Sequence, residues 1–374
     1  MSNQRSPHPP TPPAPLRPLR RCFENGQEQV EILDQTVLPH IRRWVRLHCL
    51  EDAIHAIDTM QVRGAPLIGI VAAYGIALGL WADASDQALV SISARLATTR
   101  PTAVNLAWAL ARMNERLTPL PAARRAAAAW SEADDIAEEN ARQNRAIGKH
   151  GYELLRQIAA KNPCRPMQLM THCNAGWLAT IEQGTALAPI YAAASTKLPL
   201  HVWVSETRPR NQGLLTAWEL AEAGVPHTLI ADNASGLLIL QGRVDAVIVG
   251  ADRVAANGDV ANKVGTSLKA LAAHRQGIPF YVAAPGASLD FSAANGGYVP
   301  LEVRSEDELS FVTGVNREGQ IQRLRQISNG EPIYNPAFDI TPAELVTGII
   351  TERGVCAANQ EALAQLFPEA AART

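Results

Sequence analysis

Residues 244–252 read VDAVIVGAD, a short run rich in β-branched residues that stops on glycine and then on an acid. Such a run suits a strand buried on both faces, as in a parallel sheet. Working outward, residues 167–173 (MQLMTHC), 200–206 (LHVWVSE), 227–232 (HTLIAD) and 279–285 (PFYVAAP) have the same character, with helical patterns between them. Strands alternating with helices at this spacing predict an open, doubly wound, Rossmann-like α/β sheet over residues 161–374. In such sheets ligands bind beyond the carboxyl ends of the strands. Those ends are polar here: Thr171 to Cys173, Glu206 to Pro209, Asp232, and Gly250 to Arg253. Turn chemistry explains Asp232, whereas Cys173, Glu206, Arg208 and Asp252 need another reason.

The preceding residues, 21–160, read differently. After a strand-like stretch at 29–38, apolar residues recur at helical spacing over 51–62, 65–81, 87–98 and 103–117, predicting a mostly helical N-terminal domain. Residues 122–160, proline-free and rich in Ala, Glu, Arg and Gln, predict one long helix or two abutting ones that link the halves. Seven prolines between Pro7 and Pro18 make residues 1–20 a disordered Pro-rich tail. Residues 65–82 carry no charge and could just span a bilayer, but Pro66, Gly69, Gly75 and Gly79 favour a buried core helix. At the far end, Thr341 as cap, Pro342 in the first turn and Gly354 as stop predict a closing helix over 341–354.

Composition bounds the function. The chain has 374 residues, 47% of them hydrophobic, and 34 Lys plus Arg against 36 Asp plus Glu, a net charge of −2. That near balance leaves no electrostatic footprint for nucleic acid or an anionic membrane, so the expected partner is a small molecule. Five scattered cysteines without a CxxC pair argue against a disulfide framework and a thiolate zinc site, and point to a reducing cytosol. No HExxH occurs among nine histidines, so no metal is implied. GxGxxG after a strand, GxxxxGK[ST] and GxSxG are all missing, which removes dinucleotide, P-loop and common α/β-hydrolase readings.

Anion binding does have candidates. Arg63-Gly64-Ala65-Pro66 opens the apolar helix, where free N–H groups and a cation would converge. Arg100 precedes the next helix start, and a phosphate could lie between the two arginines; read structurally, both are surface salt-bridge residues. Asn262 suits an N-cap, with Lys263 in the first turn of a helix running to about Arg275. A cation there opposes the helix dipole at a cost of about 0.5 kcal/mol, offset by a bound anion. Cys173 closes a strand and precedes Asn174-Ala175-Gly176 and an expected helix, whose N–H groups would tune the thiol. His172 would point to the other face. Asp252, desolvated at a strand end, should have a raised pKa suited to acid or base work, with Arg253 as its partner.

These residues also carry a resemblance. LDQTVLP at Leu33, RGAPLIGI at Arg63, NLAWAL at Asn105, THCNAG at Thr171, ETRPRNQG at Glu206, LTAWEL at Leu215, VGADRVAANGDVANKVGT at Val249, YVAAP at Tyr281 and NPAFDITPAELVTGIITERG at Asn335 occur in family order. The chain closely resembles methylthioribose-1-phosphate isomerases, in the superfamily that includes the regulatory alpha, beta and delta subunits of translation initiation factor 2B. The resemblance implies conversion of 5-methylthioribose 1-phosphate to 5-methylthioribulose 1-phosphate in methionine salvage, without metal or nucleotide cofactor, by a homodimer. It implies that Cys173 and Asp252 are catalytic and that Arg63, Gly64, Ala65, Arg100, Gln212, Asn262 and Lys263 contact substrate. Trp177 after CNAG, Arg210, Leu215 and GASLD at Gly286 depart from the family pattern. Two alternatives accompany this reading: a sister isomerase acting on ribose 1,5-bisphosphate or 5-deoxyribose 1-phosphate, and a regulatory subunit without chemistry.

Overall fold

The computed structural model describes residues 17–24 and 26–372. Residues 1–16 of the expected tail lie outside it, while Leu19 and Arg20 already belong to a strand. That strand, β1 (Leu19–Glu24), pairs with β2 (Gln27–Leu33), and β2 with β3 (Trp44–Leu47), in a small antiparallel sheet. Helices α1 (Leu50–Asp58), α2 (Ala65–Ala82), α3 (Asp86–Thr99) and α4 (Val104–Leu117) follow. Helix α2 is apolar all round because α1, α3, α4 and the long helix at 122–160 surround it. It is long and apolar enough to cross a membrane, yet 72% of it is buried inside the protein, so it serves as core.

Helix α5 (Ala122–Ala160) is a single 39-residue helix, about 58 Å long. Its first half, through Ala129, Trp130, Ile136 and Ala141, packs into the helical core, and its second, through Ile147, Leu155 and Ile158, into the core beside the sheet. The sheet's parallel strands are β4 (Met167–Thr171), β5 (Leu200–Ser205), β6 (His227–Ile230), β7 (Ala246–Val249), β10 (Phe280–Ala283) and β15 (Gly348–Thr351). Helices α6 (Leu187–Ser195), α7 (Gln212–Glu222), α8 (Ala234–Leu240) and α9 (Thr266–Gln276) lie between these strands in the chain. Across the sheet the order is β6-β5-β4-β7-β10-β15, the 3-2-1-4-5-6 order of a dinucleotide-binding fold, with β16 (Gly354–Cys356) antiparallel at the edge. Burial on both faces explains the unbroken apolar runs: Ala246 and Ile248 face one core, Val247 and Val249 the other.

The expected closing helix over 341–354 is not formed. Thr341 ends a strand, β14 (Phe338–Thr341), a single 3₁₀ turn covers Ala343–Leu345, and Gly348–Thr351 is buried as β15 beside β10. Four consecutive fully buried residues suit a central strand, and the sheet takes them in spite of the helical spacing around them. Beyond β7 the chain enters a second sheet of β8 (Arg253–Ala255), β9 (Val260–Lys263), β11 (Leu289–Asp290) and β14, and a separate hairpin pairs β12 (Phe311–Val315) with β13 (Ile321–Arg325).

Close packing of α5 on α6 gives a test of opposite signs. A Cβ at Gly151 would overlap the rigid Pro189 ring, whereas at Gly236 in α8 it would meet nothing within 4 Å. Overpacking costs about 1–3 kcal/mol and a helical Gly→Ala exchange gains about 0.5–1 kcal/mol. Urea midpoints should therefore fall for Gly151→Ala and hold or rise for Gly236→Ala.

Candidate active site

The strand order reverses between β4 and β7, and the site is built where these neighbours end. Cys173 stands just past β4 with φ +64°, a left-handed conformation unusual for a residue with a side chain. Two threonines hold it there. The Cys173 N–H donates to Thr207 Oγ1 (2.8 Å) and its carbonyl accepts from Thr216 Oγ1 (2.8 Å). Thr207, itself at φ +65°, is fixed by Asp232, whose carboxylate accepts the Thr207 N–H (2.8 Å) and the Arg208 N–H (2.7 Å). The next residue, Asn174, donates through Nδ2 to Glu219 Oε1 (2.8 Å) and accepts the Arg63 guanidinium on its Oδ1. Glu219 has no solvent access and also takes the N–H groups of Trp177 (2.9 Å) and Leu178 (3.1 Å) and the Tyr191 hydroxyl (2.9 Å).

On the other side Asp252 follows β7, and its N–H donates to the Ala261 carbonyl (3.0 Å), which brings β9 with Asn262 and Lys263 alongside. One cavity is lined by Cys173, Asp252, Arg63, Gly64, Ala65, Arg100, Gln212, Asn262 and Lys263 together. The nine residues that the family resemblance names thus meet in one place. Gly64, the N-cap of α2, has φ +95°, and a side chain there would overlap Ala179.

Charge in the cavity is lopsided. Arg63, Arg100, Lys263 and Arg304 line it, while Arg253 is engaged by Asp290 (2.9 Å) and the Thr102 carbonyl (3.0 Å). Among the lining residues only Asp252 is a carboxylate. Burial pushes the Asp252 pKa up, against the pull of Lys263, Arg304, Arg100 and Arg63. Burial also raises the Cys173 thiol, with Arg63 and Lys263 opposing, and lowers Lys263 to about 8. His172 is held far below its ordinary pKa by burial, and its Nε2–H donates to the Val264 carbonyl (2.9 Å), so it is a structural imidazole.

The sequence model of the initiation factor 2 subunit family matches residues 61–358. The chain belongs to that family. It is 60% identical to the methylthioribose-1-phosphate isomerase of Dechloromonas aromatica (strain RCB) over 91% of this chain and 94% of the other. Among solved structures it is similar to 5-methylthioribose 1-phosphate isomerase from Pyrococcus horikoshii OT3, with TM-score 0.79 and 37% identity over 96% of this chain and 97% of that one. It is also similar to translation initiation factor eIF-2B subunit delta from A. fulgidus, with TM-score 0.76 and 36% identity over 94% of this chain and 99% of that one.

Several sequence expectations need correction within this initiation factor 2 family site. Asn262 and Lys263 end β9 rather than begin a helix. Helix α9 starts at Thr266 and is capped from β14, where Asp339 accepts the Gly265 N–H (2.7 Å). No α-helix follows Cys173 directly, only a 3₁₀ turn at Trp177–Ala179, so helix N–H groups do not set the thiol's acidity. Arg253 pairs with Asp290, not Asp252. Arg63 is 9% exposed and no surface residue, whereas Arg100 does pair with Glu302 (3.4 Å). Glu206 and Arg208 stay off the cavity wall. So do the departures Trp177 and Leu215, which pack together with Leu33, Leu38 and Trp218, and Arg210, which pairs with Glu308 (3.0 Å). Sequence reasoning missed Arg304, Phe338, Thr207, Thr216 and Glu219. A lone acid within the buried stripe of α7 was a readable sign for Glu219.

A raised thiol pKa has a direct consequence, because thiolate is the form that alkylates. Iodoacetamide at pH 7 should label exposed Cys164 well before Cys173, and Cys173 labelling should accelerate through pH 9, as read by peptide mass spectrometry.

Proposed function

We propose that the chain is an aldose–ketose isomerase that converts 5-methylthioribose 1-phosphate to 5-methylthioribulose 1-phosphate, with Cys173 and Asp252 as catalytic residues. The supporting observation is that a thiol and a carboxyl, both pushed toward their protonated forms by burial, share one cavity rich in cations. The high identity to proteins named for this activity supports the same substrate. In this reading the enzyme acts as a homodimer in the cytosol and uses no metal or nucleotide cofactor.

The chemistry explains the residue types. An aldose phosphorylated on its anomeric oxygen cannot open its ring spontaneously, since C1 is locked as a mixed acetal. Asp252, whose acid form burial favours, donates its proton to the ring oxygen, and the C1–O bond breaks with its electron pair on that oxygen. Hydrogen then passes from C2 to C1 with assistance from Cys173, and the C2 hydroxyl gives its proton to the Asp252 carboxylate, which leaves the ketone and restores the acid. Arg63, Arg100, Lys263 and the α2 N-terminus at Gly64 and Ala65 hold the phosphate, while Gln212 and Asn262 contact the sugar.

Proton NMR time courses with 5-methylthioribose 1-phosphate, ribose 1,5-bisphosphate and 5-deoxyribose 1-phosphate test the reading. The methylthio sugar should turn over fastest, and no turnover of any of the three would refute an isomerase. Solvent deuterium at C1 would mark proton transfer, and retained protium a hydride shift. Cys173→Ala and Asp252→Asn should each lower kcat by about 100-fold or more with the urea midpoint preserved. Full activity in Cys173→Ala would end its assignment.

Lys263 adds a pH dependence. With its pKa near 8 it is charged below pH 8 and neutral above, so KM should climb as pH passes from 7 to 9. Lys263→Arg, charged throughout, should flatten that climb.

A further inference from the structure

We propose that Arg304 is a substrate-binding residue: its guanidinium, with Arg100, grips the phosphate, and Glu302 is the resident anion that the phosphate displaces. The assignment deepens the isomerase reading and rests on it for the identity of the phosphate ester.

Three observations carry it. Arg100 Nη2 and Arg304 Nη2 lie 3.4 Å and 3.2 Å from the same oxygen, Glu302 Oε2, so the two guanidinium groups already form a clamp around one oxyanion. The Arg304 side chain is 8% exposed, lines the cavity, and keeps its Nε–H buried without an acceptor among the described residues. A buried donor left unpaired is destabilising, and an incoming phosphate oxygen would satisfy it. Finally, Phe338 is flanked by Lys263 Nζ at 4.4 Å and Arg304 Cζ at 5.5 Å from its ring centre, which fixes Arg304 beside the cation of β9.

Charge balance favours the exchange. One carboxylate shared by two arginines, with a lysine across a ring, leaves the cluster net positive, and a phosphate dianion supplies two charges and three oxygens where Glu302 supplies one charge. Glu302 is 25% exposed in its side chain and lies off the cavity wall, so it can turn to solvent while the arginines stay.

The test compares ligands with and without the phosphate. In Arg304→Gln the KM for 5-methylthioribose 1-phosphate and the dissociation constant of inorganic phosphate should both rise about 10- to 100-fold, as for loss of a charge-assisted pair. Inhibition by 5-methylthioribose, which lacks the phosphate, should change less than threefold. Arg304→Lys should fall between, and Glu302→Gln should bind inorganic phosphate more tightly than wild type. Equal weakening of the neutral and phosphorylated ligands would show a structural role and overturn the assignment, as would unchanged phosphate binding in Arg304→Gln. Wild-type protein that binds phosphate through Arg304 yet turns over no sugar phosphate would refute the isomerase reading while leaving this binding site standing.

Discussion

Everything at the site leans on a carboxylate that water cannot reach. Glu219 gathers the N–H groups of Trp177 and Leu178, the Asn174 amide and the Tyr191 hydroxyl, four donors that oppose the burial raising its pKa. The turn after β4 therefore has one geometry, and Gly176 can carry no side chain because a Cβ would enter the Glu219 carboxylate. Through Asn174 the constraint reaches Arg63, whose guanidinium meets the Asn174 Oδ1 and lies 3.2 Å from its carbonyl. A buried ion adds little net stability. What it supplies here is a fixed direction for Arg63 and for Cys173 on either side of Asn174.

The threonine pair completes this on the cysteine side. Thr207 and Thr216 bond the N–H and the carbonyl of a residue whose left-handed backbone would otherwise relax, and Asp232 secures Thr207 in turn. The Cys173 thiol is thus set by loops from three adjacent strands, β4, β5 and β6, while Asp252 comes from β7. Such a site needs the strand reversal, because only there do two neighbouring loops diverge and leave room between them.

The strands and helices of the sheet were legible because burial on both faces leaves a continuous apolar run, a signal local in the chain. So was the long α5, whose composition admits little but helix. The last strand was not, since the apolar spacing of 341–354 fits a helix and only the vacant edge of β10 decides for β15. Cys173 and Asp252 could be found because they interrupt apolar strands at their polar ends. Arg304 and Phe338 lie on irregular chain and on β14, far from any strand-end pattern, and only the second sheet, folding over β7 through β8 and β9, brings them in. Asn262 and Lys263 have the residue types of a helix cap and form none, yet they reach the cavity because β9 runs antiparallel to the strand leaving Asp252.

Trp177 and Leu215 depart from the family pattern beside a motif yet lie off the cavity wall. They pack against each other's neighbours, with the Trp177 and Trp218 rings 5.6 Å apart, beneath the turn rather than within the cavity. A large ring at one position and a leucine at the other fill one apolar cluster. The cavity wall instead mixes cations, at Arg63, Arg100, Lys263 and Arg304, with apolar groups at Met60, Ile68, Val104, Val299 and Leu301. A ligand that carries both a phosphate and a thioether offers partners to both kinds of group. That match does not depend on Trp177, Arg210 or Leu215, none of which lines the cavity.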